Sequence, residues 1–167
     1  MTSDTVFRRV RILDSATDMA GDLLVRDGRI ADFGPGLGPV ADAAEIDAEG
    51  AALCPGLVDL RAELGEPGYE YRETIASAAA AAAAGGVTTL AVPPDSRPAI
   101  DDPALVRLLT ARGDDTGSLT ILALGAVTKS CRGEDLAEIG LLREAGAVGF
   151  SDGKRAIASA RLMRIAL

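Results

Sequence analysis

Residues 54–68 read Cys-Pro-Gly-Leu-Val-Asp-Leu-Arg-Ala-Glu-Leu-Gly-Glu-Pro-Gly, a short apolar run that passes into charge and ends at a Pro-Gly turn. Side chains alternate along a β-strand, so Asp59, Arg61 and Glu63 are predicted to point to one side of a strand end. Three charged groups that converge at such a place indicate a functional site.

Beyond residue 51 the sequence alternates between apolar, β-branched runs and helical patterns. Strands are predicted at residues 52–58, 87–92, 119–125 and 147–150, and helices at residues 73–84, 103–112, 134–145 and 159–167. Four successive βα units indicate an α/β fold with a parallel sheet, either doubly wound or part of a TIM-like (βα)₈ barrel. A complete barrel needs about 250 residues, so we expect the chain to be a fragment of a longer protein.

The first fifty residues predict a small β-subdomain. Short strands are predicted at residues 6–12, 23–26, 29–33 and 45–47. Asp27-Gly28 lies between the second and third of these and is a strong signal for a two-residue hairpin turn. The predicted domains are therefore a β-subdomain at residues 1–50 and the first half of a barrel at residues 51–167.

Composition excludes several classes of function. The net charge of -8, without a block of Lys and Arg, argues against nucleic-acid binding. The absence of a long uncharged apolar run and of a signal-peptide pattern predicts a cytoplasmic protein without a membrane span. Histidine is absent, which removes the most common metal ligand and the usual general base. Cys54 and Cys131 form no metal-binding spacing and are each predicted to be buried thiols.

Four segments, in this order, resemble the N-terminal part of dihydroorotases of the amidohydrolase superfamily. They are DLLVRDGRIADFG at residues 22–34, CPGLVDLRAELGEPGYEYRETI at 54–75, AAAAGGVTTLAVPPDSRPAID at 81–101 and GAVGFSDGKRAIASARLMRIAL at 146–167. The second segment is similar to the family pattern PGLVDxHxHxREPGxEyKETI. The resemblance implies the first four βα units of an amidohydrolase barrel, preceded by the small β-subdomain.

The resemblance is weakest at the positions of the family's metal site and substrate site. The positions of the family's metal site are matched by Arg61, Glu63, Asp152 and Gly153, and those of its substrate site by Gly65 and Asp95. Active members use zinc, and their two histidines fall on Arg61 and Glu63. The arginine that binds the substrate carboxylate falls on Gly65. These positions are therefore interpreted as vestigial, with no catalytic residue and no metal ligand assigned and no cofactor expected.

The charges at these positions oppose the family's chemistry. A guanidinium at Arg61 is permanently positive where a cation should bind. Asp95, in place of an amide, would repel an anionic substrate. One hypothesis places Arg61 between Asp59 and Glu63 as an ion-paired substitute for the metal, and the alternative is that these charges only solvate a strand end. Lys154 is interpreted as a solvated loop residue.

Two functions remain open. The first is a catalytically inactive dihydroorotase-like protein of pyrimidine biosynthesis. The resemblance implies that such a protein would be a structural partner of aspartate carbamoyltransferase, in an oligomer. The second is a metal-dependent cyclic amidohydrolase with a rearranged site, in which Glu63 and Asp152 act together with ligands from beyond Leu167.

Overall fold

The computed structural model describes residues 4–167, and the chain divides into two compact units, Met1–Pro55 and Gly56–Leu167. The first unit is a five-stranded sheet. Its strands are β1 (Thr5–Leu13), β2 (Asp18–Arg26), β3 (Arg29–Gly34), β4 (Ala44–Asp47) and β5 (Ala52–Leu53). The strand order is β3-β2-β1-β4, and β5 also pairs with β1. Neighbours β1, β2 and β3 are antiparallel, whereas β4 and β5 run parallel to β1.

The predicted hairpin is confirmed. Arg26 pairs with Arg29, and the two residues between them, Asp27 and Gly28, have φ angles of 50° and 72°. Positive φ at both central positions is the signature of the type I′ turn, whose twist matches that of the flanking strands. The local sequence was therefore sufficient to define this element.

Arg8 links three parts of the first unit. Its guanidinium donates to Asp22 Oδ2 at 2.9 Å, to the carbonyl of Leu37 at 2.6 Å and to Glu45 Oε1 at 2.6 Å. The Arg8 and Asp22 side chains are only 19% and 13% exposed to solvent. Because these partners lie on β2, on β4 and in the loop after β3, Arg8 holds that loop against the sheet.

We expect acid to weaken the first unit through Asp22. Hydrogen bonds from the Arg9 N–H, then from the Arg8 guanidinium and the Leu37 N–H, lower the pKa of Asp22 below its ordinary value of 3.8. The Asp22 carboxyl group therefore binds a proton more tightly in the unfolded state than in the folded state. Its contribution to the free energy of unfolding is fully present above about pH 4 and is lost as the pH falls through the folded-state pKa. Thermal melts between about pH 4 and pH 2 should show a shallower loss of stability for Asp22→Asn than for the unsubstituted protein.

A matched control for this measurement is Asp42→Asn. The Asp42 side chain is exposed and forms no hydrogen bond or ion pair with the residues from 4 to 167. This variant should keep the original slope of stability against pH. An unchanged slope for Asp22→Asn would contradict the assignment.

The second unit is an α/β structure built on a parallel sheet, as predicted. Its elements are β6 (Leu57–Asp59), α1 (Ile75–Ala84), β7 (Val87–Val92), α2 (Pro103–Asp115), β8 (Thr120–Ala126), α3 (Ile139–Glu144), β9 (Gly149–Ser151) and α4 (Ala160–Ala166). The strands pair in the order β6-β7-β8-β9, and every pair is parallel. Sequential order with a helix after each strand is the arrangement found in barrels.

Local signals define the first two helices. Thr74 caps α1 in a capping box with Ser77, and Asp102 caps α2, with Pro103 at its first position. The apolar faces pack on the sheet around a core that includes Ile100, Val106, Leu109, Ile121 and Leu142, each at most 1% exposed. Within residues 4–167, no helix is both long enough and apolar enough to cross a membrane.

The strand predicted at residues 52–58 is wrong as a single element. Pro55 and Gly56 divide it, so that β5 pairs with β1 in the first sheet and β6 pairs with β7 in the second. Proline has no N–H to donate to a ladder. A Cβ on Gly56 would lie 2.2 Å from the side chain of Thr88, so the chain can pass β7 at this point only with a glycine.

The helix predicted at residues 134–145 is also wrong at its start, because α3 begins at Ile139. The preceding residues pair with the loop that follows β8. The Lys129 N–H donates to the Asp135 carbonyl at 2.8 Å, and the Ala137 N–H donates to the Val127 carbonyl at 2.9 Å. These hydrogen bonds join residues six and ten positions apart and place Leu136 in an isolated antiparallel bridge with Thr128, although the local propensity of this segment favours a helix.

Candidate functional site

The candidate site lies where the loops after β6, β7, β8 and β9 meet, at the carboxyl ends of the parallel strands. Two cavities of about 570 Å³ and 260 Å³ lie there. They share Asp95, Ser96 and Lys154 in their walls, and we call them together the cleft. Loops at this edge of a parallel sheet carry the active sites of barrel enzymes.

Glu63 forms an ion pair with Lys154. The Lys154 Nζ lies 2.7 Å from Glu63 Oε1 and 2.8 Å from Oε2. The hydrogen bond from Lys154 is the main cause that lowers the pKa of Glu63, assisted by the charges of Lys154, Arg61 and Arg72. Both side chains remain more than half exposed, so this pair defines a geometry rather than a large stabilisation.

The hypothesis that Arg61 is the ion-paired substitute is therefore wrong. Strand β6 ends at Asp59, so strand alternation does not extend to Arg61 and Glu63. The Arg61 N–H donates to Asp59 Oδ1 at 2.9 Å, which closes a turn. The Arg61 guanidinium forms no ion pair with any residue from 4 to 167. Lys154, interpreted from the sequence as a solvated loop residue, is the cation that contacts Glu63.

Asp95 is packed against the turn that carries Lys154. The Lys154 N–H lies 3.4 Å from Asp95 Oδ2. Gly153 has a φ of 63°, and a Cβ at this position would lie 2.3 Å from Asp95 Cγ. The turn can approach Asp95 this closely only because residue 153 is a glycine.

Asp152 is buried and holds the end of β9 to the loop after β8. It is 3% exposed, and its Oδ1 accepts from the N–H groups of Val127 at 3.0 Å and Thr128 at 2.9 Å. The Thr128 hydroxyl donates to Oδ2 and accepts from the Gly133 N–H at 2.8 Å. Both oxygens of Asp152 therefore already serve as acceptors within the protein.

Gly65 lies in a tight turn. The Tyr69 N–H donates to the Gly65 carbonyl at 2.7 Å. A Cβ on Gly65 would lie 2.4 Å from the carbonyl oxygen of Glu73 and 2.7 Å from that of Tyr69. The contacted atoms belong to the backbone and cannot rotate away, so this turn has no room for a side chain at position 65.

The two cysteines differ in their exposure to solvent. Cys131 is buried, as predicted, and lines the larger cavity. Burial, followed by the charges of Asp152, Asp95 and Asp101, raises the pKa of its thiol to about 12, so it is a poor nucleophile near neutral pH. The prediction of a buried Cys54 is wrong because Cys54 is exposed. Pro55 and Gly56 separate it from the strands of the second sheet.

The cleft residues of this chain do not by themselves provide a zinc site. Zinc sites in proteins need three or four side chains that donate N, S or O atoms. No group of three or more such side chains is assembled within residues 4–167. Glu63 is engaged by an ammonium, and both oxygens of Asp152 accept hydrogen bonds from the protein. The interpretation of Arg61, Glu63, Asp152 and Gly153 as vestigial metal-site positions stays a prediction, as does that of Gly65 and Asp95 as vestigial substrate-site positions.

Sequence reasoning missed two members of this arrangement, Lys154 and Thr128. Lys154 contacts a residue 91 positions away, and Thr128 one 24 positions away. Both residues follow predicted strands of a parallel sheet, and this position was the one signal in the sequence that could have marked them as members of the site. Their partners depend on how four separate loops meet.

Comparison with known proteins agrees with this architecture. Residues 50–167 match the family described as Dihydro-orotase-like. A dihydroorotase of Pelobacter propionicus is 43% identical over 159 residues, which cover 94% of this chain and 38% of that protein. A dihydroorotase-like protein of Pseudomonas aeruginosa is 38% identical over 162 residues, which cover 96% and 38%. The chain thus spans well under half the length of these relatives.

A solved structure shows the same fold. The L-hydantoinase (dihydropyrimidinase) of Arthrobacter aurescens matches with a TM-score of 0.72 at 22% identity, over 97% of this chain and 37% of that one. The second unit therefore has the α/β architecture of a partial barrel, while its assignment to the first four βα units stays a prediction. The family match over residues 50–167, together with the agreement with these relatives across almost all of the chain, shows that this chain belongs to the dihydroorotase-like family.

Proposed function

We propose that this chain belongs to a non-catalytic protein of pyrimidine biosynthesis that supports the assembly of aspartate carbamoyltransferase. In this proposal the second unit corresponds to the first four βα units of an amidohydrolase barrel. The cleft at its strand ends is a remnant of an active site, and the protein acts through association within an oligomer.

The observation that carries the proposal is the ion pair between Glu63 and Lys154. The resemblance assigns a metal-ligand position to Glu63, yet its two carboxylate oxygens lie 2.7 Å and 2.8 Å from an ammonium group. An ammonium offers no empty orbital, so it cannot act as a Lewis acid or generate hydroxide as a metal does. A carboxylate held in this way is suited to structure rather than to metal-assisted hydrolysis.

Two further features support the loss of catalysis. The turn at Gly65 has no space for a side chain, although the resemblance places there the arginine that binds the substrate carboxylate. Asp95 adds a negative charge to the wall of the cleft, which disfavours an anionic substrate. Each change removes a different part of the reaction.

The role in assembly is proposed from the family resemblance, and the second unit exposes apolar residues that either the remainder of a barrel or another chain would cover. Leu57 and Leu60, at β6 and just beyond it, are 57% and 77% exposed, and Tyr71 is 83% exposed. Large apolar side chains left in water favour association with another surface.

One experiment tests both parts of this proposal. The purified protein is mixed with aspartate carbamoyltransferase from the same organism and separated by size-exclusion chromatography, and the fractions are assayed for dihydroorotase turnover with added zinc. We expect co-elution of the two proteins and no turnover above background. Turnover in the fractions would overturn the loss of catalysis, and separate elution would overturn the role in assembly.

The second candidate is a working metal-dependent cyclic amidohydrolase. It is favoured by the 43% identity to a protein named dihydroorotase. Glu63 and Asp152 would then act with ligands outside this chain, and Lys154 would have to leave Glu63. Stoichiometric zinc in the purified protein, together with turnover, would support this candidate.

A further inference from the structure

The polar side chains that line the larger cavity of the cleft differ in whether the protein itself supplies their partners. Asp152 accepts three hydrogen bonds, and the Lys154 ammonium pairs with Glu63. The Ser96 hydroxyl donates to the Pro98 carbonyl at 2.9 Å. The side chains that remain in the walls of this cavity of about 570 Å³ are those of Asp95, Ser130 and Arg155.

Asp95 and Arg155 bring opposite charges to the same cavity without pairing with each other. The carboxylate of Asp95 meets only the Lys154 N–H, at 3.4 Å. The Arg155 guanidinium forms neither a hydrogen bond nor an ion pair with residues 4–167, and neither does the Ser130 hydroxyl form a hydrogen bond with them. The cavity therefore offers a carboxylate, a guanidinium and a hydroxyl whose hydrogen-bonding capacity is still open.

The thiol of Cys131, in the wall of the same cavity, lies within reach of both charges. Burial is the main cause that raises its pKa, the carboxylates of Asp152 and Asp95 add to this effect, and the guanidinium of Arg155 opposes it. Interactions between charges weaken with distance and with screening by salt. The charged ends of Asp95 and Arg155 are therefore both close to the Cys131 side of the cavity.

The backbone that carries these three groups is fixed by hydrogen bonds. The Ser130 N–H donates to Asp101 Oδ2 at 2.8 Å, and the Arg155 N–H donates to the Asp152 carbonyl at 3.1 Å. Asp95 lies against Gly153, where no side chain fits between the two residues. A ligand would thus meet loops whose course is already set, which reduces the entropy lost on binding.

The two charges select the kind of ligand. A ligand with only negative charge is repelled by Asp95, and a ligand with only positive charge is repelled by Arg155. We propose that the larger cavity binds a small zwitterion of the amino-acid class, whose ammonium group contacts Asp95 and whose carboxylate contacts Arg155 and the Ser130 hydroxyl. Guanidinium and carboxylate groups form strong, charge-assisted hydrogen bonds. This binding site goes beyond the proposed role in assembly and does not depend on it.

The test compares L-alanine, propionate and ethylamine in titrations of the isotope-labelled full chain, followed by the NMR signals of its backbone amides. L-alanine carries both charges, propionate lacks the ammonium group and ethylamine lacks the carboxylate. L-alanine should bind at least about tenfold more tightly than either of the others, because each of these forgoes one charge-assisted hydrogen bond.

Two substitutions should change which ligand is preferred. In Asp95→Asn, L-alanine and propionate should bind with similar affinity, because the ammonium group has lost its partner and propionate is no longer repelled. In Arg155→Gln, L-alanine and ethylamine should bind alike for the corresponding reason. The matched controls are Asp115→Asn and Arg161→Gln, which make the same changes of charge at exposed residues outside this cavity. Both controls should keep the tenfold preference for L-alanine.

Equal affinities of the unsubstituted protein for the three ligands would overturn the inference, and they would mean that water solvates these charges. A preference for L-alanine that persisted in both Asp95→Asn and Arg155→Gln would place the ligand elsewhere and also overturn it. Asp95 is partly exposed and Arg155 is exposed, so these variants are expected to fold, which circular dichroism will verify. Co-elution with aspartate carbamoyltransferase decides on the proposed function, whereas the ligand affinities decide on this site.

Discussion

Replacing Asp152 with alanine is expected to lower the free energy of unfolding of the second unit by about 3 kcal/mol. The substitution removes the acceptor of three hydrogen bonds, from the Val127 N–H, the Thr128 N–H and the Thr128 hydroxyl. Asp152 is 3% exposed and Thr128 is fully buried, so water has little access to these donors in the intact protein. The Val127 N–H keeps its hydrogen bond to the Ser151 carbonyl at 3.1 Å, so the two Thr128 donors are the ones left without a partner, and each costs about 1–3 kcal/mol. Urea unfolding followed by circular dichroism measures the loss.

A second substitution separates hydrogen bonding from charge. In Asp152→Asn, the remaining carbonyl oxygen can accept from the two N–H groups, and the Thr128 hydroxyl can rotate to accept from the new amide. The asparagine variant should therefore lose less stability than the alanine variant. Equal losses in the two variants would mean that the negative charge, rather than the hydrogen bonds, is what matters.

The control for this series is Asp115→Ala at the end of α2. The Asp115 side chain is exposed and has no hydrogen bond or ion pair with the described part of the chain. Its removal should change the free energy of unfolding by no more than about 0.5 kcal/mol. A loss as large as that of Asp152→Ala would contradict the special role of Asp152.

Placing an arginine at position 65 is expected to destabilise the protein by about 2 kcal/mol or more. The cause lies at Cβ, which would meet the Glu73 and Tyr69 carbonyl oxygens at 2.4 Å and 2.7 Å. Gly65→Ala should therefore already show most of the loss, since the clash does not depend on the rest of the side chain. Thermal unfolding of both variants, compared with the unsubstituted protein, provides the measurement.

Gly140→Ala is the matched control for position 65. Gly140 lies in α3, and a Cβ added there would meet no heavy atom within 4 Å outside the backbone of its own helix. Alanine favours a helix over glycine by up to about 1 kcal/mol, so this variant should be as stable as the original or more stable. Equal stability of Gly65→Ala and Gly140→Ala would show that the turn has room for a side chain. It would then no longer support the loss of the substrate site.

This result bears on attempts to restore activity. Substituting Arg61→His, Glu63→His and Gly65→Arg would rebuild the motif of the family in the sequence. The turn at residues 65–69 would have to open before the arginine could enter the cleft. Motif repair alone is therefore expected to yield a less stable protein rather than a dihydroorotase.

Elements set by neighbouring residues were predictable from the sequence. The Asp27-Gly28 turn and the start of α2 at Pro103 each depend on contacts within a few residues, whereas the helix predicted from residue 73 starts at Ile75, after its Thr74 cap. Apolar periodicity likewise indicated four parallel strands, because burial on both faces leaves a continuous apolar run. The predicted boundaries were wrong where a partner outside the segment competed, as at α3, whose start is displaced by hydrogen bonds to the loop after β8.

The candidate site was predictable in position but not in its contacts. The resemblance identified Glu63, Asp95 and Asp152 at strand ends, and all three line the cleft. The partner of Glu63 was assigned to Arg61, two residues away, whereas the structure pairs it with Lys154, 91 residues away. Charge and spacing alone do not distinguish a neighbour on the same loop from a residue brought in by a different strand.

The sequence by itself determined the fold class, the hairpin, the start of α2 and the family. These follow from backbone preferences, side-chain periodicity and motif order, all of which act locally along the chain. Only the tertiary structure decided that Lys154 lies beside Glu63, that both carboxylate oxygens of Asp152 accept hydrogen bonds from the protein, and that Gly65 has no room for a side chain. The physical reason is that each of these properties depends on the distance between atoms of different loops, which the packing of the parallel sheet fixes.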